Sequence, residues 1–450
     1  MKIKKLLAIT LTLALALALF AGCGNTDDAS PSVGGSTQPS QSPSGGENTQ
    51  PAENTGTQPA ENMGSEEPGE NAWPDGQPLV IGHIMDLTGP EASTGQEAQR
   101  SLNFAIQALG GKFAGREIVV IEGDAGGDAG TARQLAQKMV EQDKVAAIFG
   151  PTQIGEKMSV AGYMADAGVP LILYNGTPMN LLNGDNPWVV GVGGGAPQLP
   201  TVMANYAYNE LGYHKVHVMY MDNAGGQTWL NPFMAAFTAL GGEILTEQKL
   251  PVPTPDFAPF LGNITDDADA IVAWTSGSDA MNLFAAWFDA GLSEKMPIVA
   301  PFHGGFTDYY VPAALNGRNP AISAAIVGTF APITYVYDTG TPQNDAFVEL
   351  WKAEFGSVPP GGNLPGGCYQ AMLVFKTAVE ALAGDTSPDK LIDAIFAVDL
   401  IGPEGHVSFA NSQAATRDVH IVQVVRLPDD SYNYSIVKTY PNVPPAGLGS

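Results

Sequence analysis

Cysteine is nearly absent: Cys23 and Cys368 are the only two in 450 residues. No disulfide framework can hold such a chain, and a modified Cys23 would rule out even one intrachain bridge. Histidine is also sparse, with six residues scattered as His83, His214, His217, His303, His406 and His420. None forms an H-E-x-x-H arrangement, and His214 with His217 lacks a third ligand, so no resident metal is expected. Basic residues number 20 against 46 acidic ones, a net charge of −26. That balance excludes the basic surface that nucleic-acid phosphates require. Neither a G-x-S-x-G elbow nor a Walker loop occurs. The run Gly193-Gly194-Gly195 leads into Ala196-Pro197, which is the wrong order for a phosphate cradle. Neither catalysis nor a cofactor is expected.

What is present begins at the first residues. Lys2, Lys4 and Lys5 precede an uncharged apolar run over residues 6–20. About 15 residues is short of the roughly 20 needed to span a bilayer, but suits the core of a signal peptide. Phe20-Ala21-Gly22-Cys23 then resembles the bacterial lipobox, with Phe20 in the place usual for Leu. The resemblance implies that residues 1–22 are removed and that Cys23 carries lipid, which tethers a protein to a membrane without spanning it. Past the signal segment no apolar stretch is long enough to cross a bilayer.

Residues 23–76 are Ser, Thr, Gln, Pro, Gly, Asn and Glu with few large apolar side chains. They contain a tandem repeat, Thr49-Gln50-Pro51-Ala52-Glu53-Asn54-Thr55-Gly56, which returns from Thr57 to Gly64 with Met63 for Thr. Too little apolar surface is available to offset the entropy of ordering, so this segment reads as a disordered tether. Downstream, about 370 residues alternate strand and helix. Strands are expected at 79–85, 117–122, 145–149 and 169–174, with helices at 94–109, 131–142 and 155–167 between them. The same order restarts after 191–197, with strands at 215–221, 243–249, 270–274 and 298–300 and helices at 201–211, 230–240 and 280–290. Apolar runs without alternation, separated by helices, imply parallel sheets covered on both faces. Two such units facing one another leave a cleft at the carboxyl ends of their strands. Cys368, in Gly366-Gly367-Cys368-Tyr369, has no histidine signature beside it and reads as a packed residue.

The order of short segments carries a resemblance over residues 79–437. It runs through Ile81-Gly82, Leu87-Thr88-Gly89-Pro90, Gly95, Asp124 with Asp128, residues 144–151, Gly168-Val169-Pro170 and Thr177-Pro178. It continues with Leu240-Gly241-Gly242, Asp256-Phe257, Ala290-Gly291-Leu292, residues 369–372 and residues 405–409. The chain resembles the leucine/isoleucine/valine-binding type of periplasmic-binding-fold type I receptors of ABC transporters. The resemblance implies an α/β architecture of two doubly wound, Rossmann-like lobes joined by a hinge that the chain crosses three times. Lobe 1 is expected at 77–197 plus 328–415, and lobe 2 at 198–327 plus 416–450. It further implies an extracytoplasmic monomer that closes on one small molecule and delivers it to an ABC permease. The lipid on Cys23 would hold it on a Gram-positive-type surface or a periplasmic face. The same fold also suits a tethered ligand sensor or regulatory interaction protein.

The family's binding positions transfer one at a time. The serine that follows the Gly-Pro turn in amino-acid receptors falls on Ile154, which has no hydroxyl and leaves only nearby backbone amides. The carbonyl position falls on Gly176 and the threonine position on Thr177, whose hydroxyl either contacts ligand or closes the turn before Pro178. In lobe 2 the usual aromatic falls on Gly225; Trp229 either substitutes or packs at the start of a helix. Trp274, Thr275 and Ser276 end a strand, where Trp274 stacks on a ligand or belongs to the core. The loop expected to carry an acid for a ligand ammonium holds His303 instead, and Thr88 stands in a rim loop. A zwitterionic amino acid needs a buried negative partner. These departures therefore turn the expectation toward polar uncharged, aromatic or carboxylate ligands.

Overall fold

The computed structural model of the protein describes residues 76–300, 320–409, 412–428, 430 and 432–449. The signal segment, Cys23, the tandem repeat and His303 lie outside the described residues.

Lobe 1 begins with β1 (Leu79–Met85), an apolar run buried on both sides. It continues through α1 (Ala92–Ala108), β2 (Lys112–Phe113), β3 (Arg116–Asp124), α2 (Ala129–Glu141), β4 (Ile148–Phe149), α3 (Ile154–Ala167), β5 (Leu171–Leu173) and β6 (Val189–Gly191). The sheet order is β2-β3-β1-β4-β5-β6, and all pairs but β2/β3 are parallel. Local chemistry fixes the helix ends. Asp128 accepts the Thr131 N–H at 2.7 Å to cap α2, and Gly168 ends α3 in the left-handed conformation at φ 65°.

Lobe 2 repeats the scheme with α4 (Gln198–Asn209), β7 (Lys215–Met221), α5 (Ala224–Ala239), β8 (Glu243–Leu250), α6 (Ala258–Leu261), β9 (Ala270–Trp274), α7 (Gly277–Asp289), β10 (Ile298–Val299) and α8 (Pro320–Ile326). Its parallel sheet runs β10-β9-β7-β8. Helix α5 starts six residues ahead of the expected 230–240 segment because the Asn223 side chain accepts the Gly226 N–H at 2.9 Å.

The chain then forms β11 (Phe330–Ile333) and returns to lobe 1 as α9 (Pro342–Phe355), α10 (Leu364–Ala381), α11 (Pro388–Phe396) and the hairpin β12 (Asp399–Gly402) and β13 (Gly405–Ser408). It ends in lobe 2 with β14 (Arg417–Arg426) and β15 (Tyr432–Val443). Buried residues of α1 and α10 cover one face of the first sheet, and those of α2 and α3 the other. Cys368 lies in the α1/α10 layer, fully buried, with its thiol pushed well up by burial.

One boundary needs correction. Residues from 328 onward were expected in lobe 1, yet β11 pairs antiparallel with β14, Phe330 opposite Gln423 and Ile333 opposite His420. Ala331 and Ile333 pack with Ile271, Ile298 and Val422. The second crossing therefore runs through residues 334–341, after the strand. Pro332 inside a four-residue strand masked it in the sequence.

Three crossings meet around one buried ion pair, Arg417 with Glu404. Arg417 Nη1 also donates to the Val192 carbonyl at 2.9 Å, and Thr334 Oγ1 donates to Glu404 at 3.2 Å. Each of the three hinge segments thus reaches the same pair. Burial lowers the Arg417 pKa only to about 10, so the guanidinium stays charged at neutral pH. Gln198 adds two bonds from its Nε2, to the carbonyls of Ala415 (3.1 Å) and Val443 (2.7 Å). Removing one member of a buried pair leaves the other charge uncompensated, at a cost of about 3–5 kcal/mol. Arg417→Met is therefore expected to lower the midpoint of urea unfolding by that equivalent. An unchanged midpoint would show that the pair is not needed to hold the hinge.

Candidate ligand site between the lobes

The carboxyl ends of both parallel sheets face the space between the lobes. In lobe 1, β1 leads into Asp86, β4 into Thr152 and β5 into Asn175-Gly176. In lobe 2, β7 leads into Asp222-Asn223 and β9 into Thr275-Ser276. The lobes touch across this space, α1 against α7 and α3 against α5.

Two contacts define the seam. A methyl group on Gly176 would stand 2.4 Å from Cη2 of Trp229, so only glycine lets the α5 tryptophan of lobe 2 lie on lobe 1. Ser276 occupies the cap position of α7, yet it caps nothing with its side chain. Its hydroxyl donates across to Glu91 Oε1 at 2.6 Å. Ile154 is buried in the same apolar cluster as Trp229 and Trp274, so the missing hydroxyl is replaced by packing. Trp274 is buried with its ring over Gly225, where a methyl group would lie 2.7 Å from Cη2. The ring of Trp274 therefore fills the space that the absent aromatic at Gly225 would have taken. Its Nε1 is buried without an acceptor.

Thr177 and Thr88 are placed elsewhere. The Thr177 N–H donates to Gly194 O at 2.9 Å and its carbonyl accepts from Ala196 at 2.8 Å. Its Oγ1 sits over Gly191 and is buried without a hydrogen-bond partner. Thr88 is exposed, and its hydroxyl donates to Asp124 Oδ2 at 2.8 Å. Asp124 also accepts the N–H groups of Leu87 and Gly126, at 2.8 and 3.0 Å. The rim threonine thus belongs to a loop clasp.

The sequence reading passed over a buried polar floor in lobe 1. Glu156 and Lys157 lie in the first turn of α3, and both are almost wholly buried. Lys157 Nζ donates to the Gly176 carbonyl at 2.9 Å and reaches Asn175 O at 3.5 Å. Burial lowers its pKa to about 7, against the pull of Glu156. Glu156 moves the other way: burial, then the Asp86 charge and a hydrogen bond to Asp86, raise it to about 9. Neither oxygen has a partner at ordinary hydrogen-bond geometry, so burial beside the Asp86 charge keeps the proton on Glu156 itself. Asp86 accepts the Gly127 N–H at 2.7 Å and the Thr152 hydroxyl at 3.4 Å. Behind this floor His83 Nε2 lies 3.1 Å from the Tyr174 hydroxyl, and burial depresses the imidazole to about 3, keeping it neutral. Among the described residues no group of three His, Cys, Asp or Glu is placed to hold a metal ion.

Two α/β lobes with opposed strand ends and a three-stranded hinge define a two-lobed ligand-binding protein. Residues 78–430 match the family model of the periplasmic binding proteins, so the chain belongs to that family, as a substrate-binding receptor of the type I fold. A Leu/Ile/Val-binding protein homolog 6 from Brucella melitensis is 26% identical over 376 residues, covering 82% of this chain and 93% of the relative. An ABC transporter substrate-binding protein from Sphaerobacter thermophilus is 27% identical, with a TM-score of 0.72 over 81% of this chain and 98% of that one. A solute-binding protein from Rhodopseudomonas palustris, solved with 3,4-dihydroxybenzoic acid, is 25% identical with the same TM-score and the same coverage. A leucine-binding protein from Thermotoga maritima shares the fold, at 20% identity and a TM-score of 0.70 over 81% of this chain and 99% of that one.

The raised Glu156 pKa has a consequence for stability. Between the ordinary value of 4.5 and about 9 the folded chain keeps a proton that the unfolded chain releases, so this group's contribution falls as pH rises through that window. Glutamine mimics the protonated acid. Glu156→Gln is expected to leave the melting temperature near wild type at about pH 5 and to exceed it by at least about 2 °C at about pH 8.5. Parallel pH profiles of the two proteins, followed by circular dichroism, would contradict the raised Glu156 pKa.

Proposed function

We propose that this chain is an extracytoplasmic receptor that captures a small carboxylate-bearing molecule between its lobes and delivers it to an ABC import permease, without catalysing a reaction. The observation that carries this reading is the seam itself. Trp229 of lobe 2 lies on Gly176 of lobe 1, and Ser276 bonds Glu91 across the same gap, directly at the opposed strand ends. Contacts of this kind exist only when the lobes are shut, so a ligand that engages both walls shifts the population toward closure by its differential affinity. The relatives support the class of cargo. The names of the Brucella homologs refer to leucine, isoleucine and valine, and the Rhodopseudomonas protein holds a dihydroxybenzoate; all of these carry a carboxylate. A lipid on Cys23 and the tether over residues 24–76 would keep the receptor beside its permease on the outer face of the cell membrane.

Two measurements test this. Thermal-shift screening over amino acids, aromatic acids, amides and nucleobases is expected to yield a stabilising ligand, and small-angle scattering is expected to show a smaller radius of gyration at saturation. Identical scattering with a saturating ligand would sink the closure mechanism. Gly176→Ala, which places a methyl against Trp229, is expected to weaken that ligand by at least about tenfold (about 1.4 kcal/mol) while leaving the unliganded melting temperature within about 2 °C. For the anchor, Cys23→Ser is expected to abolish incorporation of a palmitate analogue and release the chain from the membrane fraction. Undiminished label on that variant would refute the assignment.

A further inference from the structure

We propose that Lys157 sets the ligand class: its ammonium occupies the acceptors at the end of β5, so the cleft takes an organic acid that carries no α-ammonium. This rests on the reading that the space between the lobes is the ligand site.

The carbonyls of Gly176 and Asn175 stand at the carboxyl end of β5, the sheet edge where open α/β units place their ligands. Both already accept from Lys157 Nζ, at 2.9 and 3.5 Å. A ligand ammonium brought to this edge finds its acceptors taken and a like charge beside it, in a setting where burial weakens screening. The lobe-1 carboxylates near this edge are already engaged, Glu91 at the seam by the hydroxyls of Ser276 and Thr94. Asp86 is engaged by Gly127 and Thr152, and burial keeps Glu156 protonated. Asp124 is filled by the rim loop.

A carboxylate, which only accepts hydrogen bonds, meets the opposite situation. In its ammonium form Lys157 has three N–H groups and gives two of them to carbonyls, which leaves one for a ligand; burial lowers its pKa to about 7, and a carboxylate bound there would hold the proton on it. The indole Nε1 of Trp274, also buried, has no acceptor either. Among the described residues, Asn175 Oδ1 and, just past Gly176, Thr177 Oγ1 are buried without a hydrogen-bond partner, and the Glu156 carboxyl beside them is held protonated by burial. Two neutral oxygens are too little for a desolvated ammonium, but enough for a hydroxyl on the ligand. Trp229 and Trp274, with Ile154, supply an apolar wall for the body of the acid.

The test uses acids paired with amino acids that differ only by the α-ammonium: 3-phenylpropanoate with phenylalanine, and 4-methylpentanoate with leucine. Benzoate and 4-hydroxybenzoate are compared with benzamide. Titration calorimetry on the wild-type chain is expected to show at least one acid binding at least about tenfold more tightly than its counterpart. In Lys157→Met, which keeps the length and removes the charge, that acid is expected to weaken by at least about tenfold and the preference over the counterpart to disappear. Tighter or equal binding of the amino acid overturns the proposal and leaves the receptor reading standing. Unchanged acid affinity in a folded Lys157→Met variant also overturns it. Should the variant fail to fold, the wild-type pairs decide alone. Should no acid bind, the proposal falls, and the receptor reading is judged separately by the wider ligand screen and by scattering.

Discussion

The ion pair between Arg417 and Glu404 is the interaction on which the architecture depends. Three chain crossings have to stay together while the lobes they connect turn about them. A single apolar contact could slide. A buried guanidinium cannot, because every displacement leaves a charge or a carbonyl without its partner. Val192 from the first crossing, Thr334 from the second and the pair itself at the third are held in one network. Gly195 lies so close to the Pro445 carbonyl that a side chain there would collide with it. The hinge is thus narrow and polar.

The seam in front of the hinge is built on the opposite principle. Its contacts are apolar and few, with Trp229 over Gly176 and Ile154 in the same cluster, supplemented by one hydroxyl–carboxylate bond. Such contacts form and part at modest cost, as a receptor that must release its cargo requires. Beneath them sits the charged floor of Asp86, Glu156 and Lys157. Burial holds Glu156 protonated and lowers the Lys157 pKa to about 7, so this floor carries far less charge than its residue types suggest. The proton kept on Glu156 ties the floor's stability to pH.

Much of the fold was legible because its strands are uninterrupted apolar runs. The expected strands at 79–85, 215–221 and 270–274 coincide with β1, β7 and β9 residue for residue. β11 escaped because four residues with a central proline carry no periodicity, and that moved the second crossing several residues too early. The site was less legible, for a physical reason. Glu156 and Lys157 follow a turn in the first turn of a helix, where charged side chains usually face water; nothing in their spacing reports that α5 packs over them. The one available signal is that they stand among small and apolar residues, between Gly155 and Met158. Thr177 was placed by family position; the turn after β5 bends back onto Gly194 and leaves its hydroxyl over Gly191 without a hydrogen-bond partner. Trp274 and Ser276 lie at the end of β9 as read. Their contacts with Gly225 and Glu91 emerge only from the tertiary arrangement.

Rigid lobes turning about a fixed polar hinge make a distinct statement about backbone protection. Hydrogen–deuterium exchange of the free chain and of the chain saturated with a ligand from the screen reads it directly. The account predicts slower exchange on binding at 152–157, 174–176, 222–229 and 274–279. The hinge amides of Gly191, Ala196 and Ala415, bonded within the crossings, should be equally protected in both states. Protection confined to other surfaces, or hinge amides that exchange freely until ligand arrives, would contradict it.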